Sequence, residues 1–270
     1  MNTLFASIRK LKSIVLSTTL SSTLSITFAL VCALAFIAPP AAAQHKPLPA
    51  RTAAEAGAYK FPKQFQMSYQ TTVQGLRASS VFEWKSDTKS YDAKLLTSAL
   101  GVEFNLSSLG GLSVLGVTPT RSTEKKPFRS LVALNADPAT QRVLVSNSAD
   151  SMPLMSGGQD FLGMMMQLAI YVQTQARWAT AGATQDFMVY TTKGLKHWRI
   201  QSQGMQTIDV GGKPTPTVYV RRVGLDGEAE HDEQQHLWLD PSRYGFPIKI
   251  RIVDGSKKVT EITMVESKEY

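Results

Sequence analysis

The chain has 270 residues, 43% of them hydrophobic and 19% charged, which fits a globular protein and excludes a wholly disordered one. That length suits one large domain or two small ones. The net charge is +8, and the single cysteine, Cys32, excludes an intrachain disulfide framework and a cysteine-based zinc site.

Residues 1–43 read as an export signal. Arg9, Lys10 and Lys12 form a basic start, an apolar stretch is densest from Ile26 to Ile37, and Pro39-Pro40 break it before Ala41-Ala42-Ala43. Small residues there make a cleavage pattern with Gln44 as the new N-terminus. An uncleaved anchor fits less well. Ser and Thr scattered through residues 17–27 leave only about a dozen strongly apolar residues where a span needs about 20. A lipoprotein fits less well too, since Cys32 follows Val31 and sits inside the apolar run. Cleavage removes three bases and no acids, so the charge falls to +5. The expected location is the bacterial periplasm, with no transmembrane span after cleavage.

Residues 44–60 have no clear period and read as a flexible leader to a single β-rich domain over 61–270. Phe65, Met67, Tyr69, Thr71 and Val73 alternate with polar residues, which predicts a half-buried strand. Gly75 turns the chain into a second run, where Ala78, Ser80, Phe82 and Trp84 share a face, and Ser86-Asp87-Thr88 ends it. Tyr91 to Ser98 and Val102 to Ser108 continue the meander. Ser122 to Pro127 reads as a polar loop.

One segment breaks this rhythm. Residues 158–177 predict a helix, with Ser156 and Gln159 as a capping box. Phe161, Leu162, Met164 to Met166, Leu168, Ala169, Tyr171 and Val172 cover most of its circumference, so it is expected to be buried against the concave side of a sheet. Beyond it, Gly211-Gly212, Asp226-Gly227 and Asp254-Gly255 punctuate strand-like runs at Thr217 to Arg222, His236 to Leu239, Ile248 to Val253 and Val259 to Val265. Pro247 stands at the start of a strand, where it removes no essential ladder bond. About ten strands in all predict an all-β fold with one main helix: an antiparallel, open or closed barrel-like sheet, or a sandwich.

Catalytic patterns fail on inspection. Gly111 to Gly116 lacks the spacing of a nucleophile elbow. Ser122-Thr123-Glu124-Lys125 matches Ser-x-x-Lys without its companion motifs, and no glycine-rich phosphate loop occurs. Histidine is scarce: His45, which lies in the leader, His197, His231 and His236. His231 and His236, five residues apart, fall on opposite faces of a strand. No catalytic residue, metal site or cofactor is expected. Met152, Met155, Met164, Met165 and Met166 cluster within fifteen residues. Thioethers fill core gaps, line adaptable apolar surfaces, or bind Cu(I). Met164, Met166 and Tyr171 are the candidate ligand contacts. Lys125-Lys126, Arg221-Arg222 and Lys257-Lys258 are short separated pairs that read as solvated faces; anionic envelope headgroups are the alternative partner, and nucleic acid is not expected.

The opening strand with Tyr69, the Gly75 turn, the Trp84 strand, Gly116-Val117-Thr118-Pro119-Thr120-Arg121, Leu237-Trp238-Leu239-Asp240 and Gly245-Phe246-Pro247-Ile248 together resemble the bacterial envelope family catalogued as domain of unknown function 3108. The resemblance spans roughly residues 60–268. It implies an exported, mostly antiparallel β protein and carries no activity or site residue with it. Three functions follow from the residues. The first is a non-enzymatic periplasmic protein holding an apolar or amphipathic ligand, with lipid, glycolipid or another envelope protein as partner. The second is an interaction module with a filled core, and the third an unrecognised cell-wall or glycan hydrolase. A cavity between the helix and the sheet separates the first from the second. A His–carboxylate pair in a cleft would favour the third.

Overall fold

A computed structural model describes residues 59–73, 76–99, 101–225 and 234–270. The export signal, most of the leader, Gly75, the Asp226-Gly227 turn, Cys32, His45 and His231 lie outside the described residues. In chain order come β1 (Gln64–Val73), β2 (Leu76–Ser86), β3 (Ser90–Ala99), β4 (Val102–Ser113), β5 (Gly116–Lys125), β6 (Val132–Asp137), β7 (Arg142–Val145) and β8 (Ser151–Pro153). The helix α1 (Phe161–Thr174) follows. The remaining strands are β9 (Ala181–Thr191), β10 (Gly194–Val210), β11 (Lys213–Val223), β12 (Gln234–Asp240), β13 (Phe246–Val253) and β14 (Val259–Glu269).

All these strands belong to one antiparallel sheet, ordered β8-β7-β6-β5-β4-β3-β2-β1-β14-β13-β12-β11-β10-β9. The N-terminal strand lies beside the C-terminal one, so two meanders spread from the centre. The inward pattern holds the register, because a slip of one residue would turn every apolar side chain to water. Phe65 faces Trp84 and Met67 faces Phe82 across β1–β2, and Phe82 faces Leu95 across β2–β3. On the other side Tyr69 faces Met264. Register shifts at Ser68/Tyr69, Leu109/Gly110, Ser202/Gly204 and Trp238/Leu239 bend the strands and increase the twist.

The sheet curls until its two edges approach. Gln159, between β8 and α1, forms a parallel bridge with Val189 of β9: its N–H donates to the Met188 carbonyl at 2.8 Å, and Tyr190 N–H donates back to its carbonyl at 2.7 Å. Leu134, Val143, Met152 and Tyr190 form a small buried cluster at this junction, with Leu154 and Leu195 partly buried against it. The all-β class with one main helix therefore stands, as a barrel-like sheet.

Three local expectations need correction. There are fourteen strands among the described residues rather than about ten. Ser122 to Lys125 is the end of β5, paired with Asn105 to Ser108, and its first three residues also pair with Val132 to Leu134. Its side chains are polar on both faces, so alternation was silent; backbone ladders and a 2.6 Å bond between the Ser107 and Thr123 hydroxyls hold it. The helix is shorter than 158–177, and Asp160 caps it instead of Ser156 with Gln159. Gln159 is committed to the β9 bridge, and Gly158 lies so close under Tyr190 that a Cβ would sit 2.6 Å from its ring. At the other end Gln175 turns extended, at φ −128°.

Leu162 to Tyr171 are ten consecutive buried residues, so α1 is enclosed on every side. It packs against β4, β5, β9 and β13, bridging both meanders. Each fully buried Leu or Met contributes about 1.5–3 kcal/mol of transfer free energy.

Candidate functional site

The candidate site is the seam between α1 and the sheet. Met165 and Met166 form one wall; Tyr69, Phe82, Leu95, Phe246, Pro247, Ile250 and Ile262 form the other. The gap between them has a volume of about 10 Å³, the space one water needs. A polar atom in its lining, the Tyr69 hydroxyl, donates to the Pro247 carbonyl at 2.9 Å. Burial holds that phenol far above its ordinary pKa. The other side chains lining the gap are apolar. Around it lies an aromatic layer, with Phe65 and Phe246 at 4.3 Å and Trp84 and Tyr91 stacked at 5.4 Å.

Of the candidate ligand contacts, Met166 lines this gap, whereas Met164 and Tyr171 are buried elsewhere around α1. Tyr171 stacks on Trp178 at 6.1 Å and meets Phe187 at 6.3 Å. Met165, outside that candidate set, lines the gap as well. The methionines divide between two regions. Met164 to Met166 are in the main core, Met152 is in the junction cluster, and Met155 is half-buried.

Hydrogen bonds to hairpin backbones secure α1 as well as apolar packing. The Gln167 amide accepts from Val117 N–H at 3.2 Å and donates to the Leu115 carbonyl at 3.3 Å. Gln159 Nε2 donates to the Val117 carbonyl at 3.0 Å. This grip requires Gly116, at φ +112°, because Gln167 occupies the place of a Cβ. At the other end Gln173 Nε2 donates to the Tyr244 carbonyl at 2.8 Å, while its Oε1 accepts from Lys60 N–H at 3.0 Å. Tyr59 donates to the Ser113 carbonyl at 2.7 Å, and Phe61 stacks edge-on against Trp84. The last leader residues thus strap the lower end of the core.

A buried polar chain lies at the start of α1. Asp160 Oδ1 accepts from Gly163 N–H at 2.8 Å, and its Oδ2 accepts from Ser108 Oγ at 2.6 Å. With its one proton directed to Asp160, Ser108 accepts from the Tyr91 hydroxyl at 2.8 Å. Burial outweighs these bonds and pushes the Asp160 carboxyl up to about 6. The sequence reading passed over this residue. The signal was an Asp immediately before the apolar run, where an N-cap belongs. Ser108, Tyr91 and Asp160 are all buried, so the chain faces the core rather than a cleft.

A His–carboxylate pair does occur. His197 Nε2 is 3.2 Å from Asp186 Oδ2, on the face of β9 and β10 opposite Phe187 and Trp198. Arg199 holds both oxygens of that carboxylate, at 2.7 and 3.0 Å, and keeps it below the usual carboxylate range. All three side chains are half-buried, at 23–28% exposure. His236 Nδ1 shares a 2.7 Å hydrogen bond with the Tyr219 hydroxyl, and Trp238 stacks on Tyr219 at 4.9 Å. Among the described residues, no group of three or more His, Cys, Asp or Glu could hold a metal ion, and no helix is long and apolar enough to cross a membrane.

No family model matches the chain, and no curated protein matches it. Among solved structures it is similar to the crystal structure of the Mycobacterium tuberculosis lipoprotein LppX, at 12% identity, covering 77% of this chain and 88% of that one, with a TM-score of 0.27. A likeness at that score bears no weight for function.

Proposed function

We propose that the protein is an exported, non-enzymatic envelope protein that holds an apolar or amphipathic ligand between α1 and the curved sheet. The seam supports this reading: two adaptable thioethers face an aromatic and aliphatic wall. An acyl chain does not fit a gap of about 10 Å³, so a ligand enters by displacing α1 side chains. The glutamine contacts suit such a displacement. Each exchanges for water at a net cost of about 0.5–1.5 kcal/mol.

Native mass spectrometry of protein released from its own periplasm tests this directly. Met166→Ala adds room at the seam and should raise retention of a carried lipid or uptake of an apolar fluorophore. The same change should lower stability by about 2–5 kcal/mol, as for a buried methionine. A preparation without added mass, with no uptake by wild type or variant, overturns the reading. A second reading, an interaction module whose core is simply full, is favoured by the small size of the gap and would then take its place.

A further inference from the structure

The β5–β6 turn carries a large apolar side chain for which the fold provides no packing. Arg129 N–H donates to the Lys126 carbonyl at 3.2 Å, closing a four-residue turn with Pro127 second and Phe128 third. Phe128 has φ +56°, the left-handed conformation for which a third turn position normally takes Gly or Asn. Its side chain is 93% exposed, and Leu131 beside it is 46% exposed. A bulky residue held at positive φ with its ring in water is strained without compensation from the core, a pattern that points to function.

The charges around the ring are of one dominant sign. Lys125 Nζ donates to the Arg129 carbonyl at 2.6 Å and braces the base of the turn. Lys126 pairs with Glu124 at 3.0 Å, and Glu124 also accepts from Thr192 Oγ1 at 2.6 Å. That contact ties the turn to the β9–β10 turn, where Lys193 is exposed. In sequence, Lys125, Lys126 and Arg129 lie within three residues of Phe128 and no acid does, and Lys193 stands on the turn tied to this one.

We propose that this turn docks the protein on the surface of an anionic phospholipid bilayer. Phe128 enters the boundary between headgroups and acyl chains, and Lys126 and Arg129 meet lipid phosphates. Protein contacts of high affinity centre on an anchor ringed by further contact surface. A lone ring projecting between cations suits a bilayer better, because its apolar body is buried while the charges stay at the headgroups. A single shallow anchor of this kind binds weakly and reversibly. The proposal is independent of the ligand reading, since vesicle binding and ligand retention are separate measurements.

Flotation with vesicles of phosphatidylglycerol and phosphatidylcholine tests it. The protein should float with phosphatidylglycerol vesicles, remain behind with phosphatidylcholine alone, and be released by high salt. Phe128→Ser should weaken binding about tenfold, and Phe128→Trp should retain it, because Trp favours the interface. Lys126→Gln and Arg129→Gln should each weaken it about fivefold. Thermal melts of the Phe128 variants should match or exceed wild type, so that lost flotation is not lost folding. Absent flotation, equal binding to neutral vesicles, or Phe128→Ser binding as wild type overturns the proposal. So does Phe128-dependent capture of a soluble protein without flotation.

Discussion

The interior around α1 and the junction between β8 and β9 close the same sheet by different means. Around α1, side chains from both meanders converge on ten consecutive buried helix residues, and glutamines fasten the helix to two hairpin turns. At the junction, closure is held by one parallel bridge, four buried residues and a few side-chain hydrogen bonds. The β8 edge has three residues and β7 beside it four, so that edge offers little for pairing, whereas β9 at the other edge has eleven. Short edges of this kind resist association with other chains, and they also leave few bonds to break. The filled interior therefore has far more buried contact than the place where the ends meet, and local opening is expected first at the junction.

Leu168→Asp gives the largest expected effect. It places an unpaired carboxylate at a position with no solvent exposure, on the helix that joins both meanders. Destabilisation of several kcal/mol should follow, read as loss of the cooperative melt. Retention of a native melt would show that the interior around α1 is as loose as the junction.

Asp160 comes next. The unfolded chain releases this proton near 3.8 and the folded one near 6, so the folded state binds more protons between those values. Its contribution to stability is complete below about 4 and is lost as pH rises to about 6. The shift corresponds to about 3 kcal/mol. Asp186, Asp87, Asp137 and Asp254 have lowered values and act in the opposite direction, so the wild-type profile alone is a sum of both. Asp160→Asn keeps a capping side chain and removes the titration. Denaturant midpoints from pH 4 to 7 should show the variant gaining on wild type as pH rises. A constant difference would assign the start of α1 an ordinary, hydrated carboxylate.

Tyr190→Phe has the smallest effect and probes the junction. The hydroxyl accepts from Met155 N–H at 2.6 Å and donates to the Pro153 carbonyl at 3.3 Å. Its loss should cost about 1–2 kcal/mol. Hydrogen exchange should accelerate at β8 and β9 before it does in β1 and β14. Uniform acceleration would mean that junction and interior open as one unit.

Much of the sheet was legible in the residues. Phe65 to Thr72 and Ile248 to Ile252 alternate cleanly because one face meets the core and the other water. The Gly211-Gly212 and Asp254-Gly255 turns lie between β10 and β11 and between β13 and β14, as their chemistry demands. β5 through β10 were not among the expected strands; β5 through β8 are short or polar on both faces, and a ladder of backbone bonds leaves no mark on side-chain pattern. At the site, burial of α1 followed from its apolar circumference, whereas the role of Asp160 depended on Ser108 and Tyr91, distant in the chain.

By itself the sequence determined the β class, the buried helix and the turns, because local pattern reports which face of an element avoids water. Only the tertiary structure decided that β1 lies beside β14, that Gln159 bridges to Val189, and that Met166 rather than Met164 borders the gap. The physical reason is that these contacts join residues remote in sequence. Their partners are chosen by curvature and packing volume, which no local period encodes.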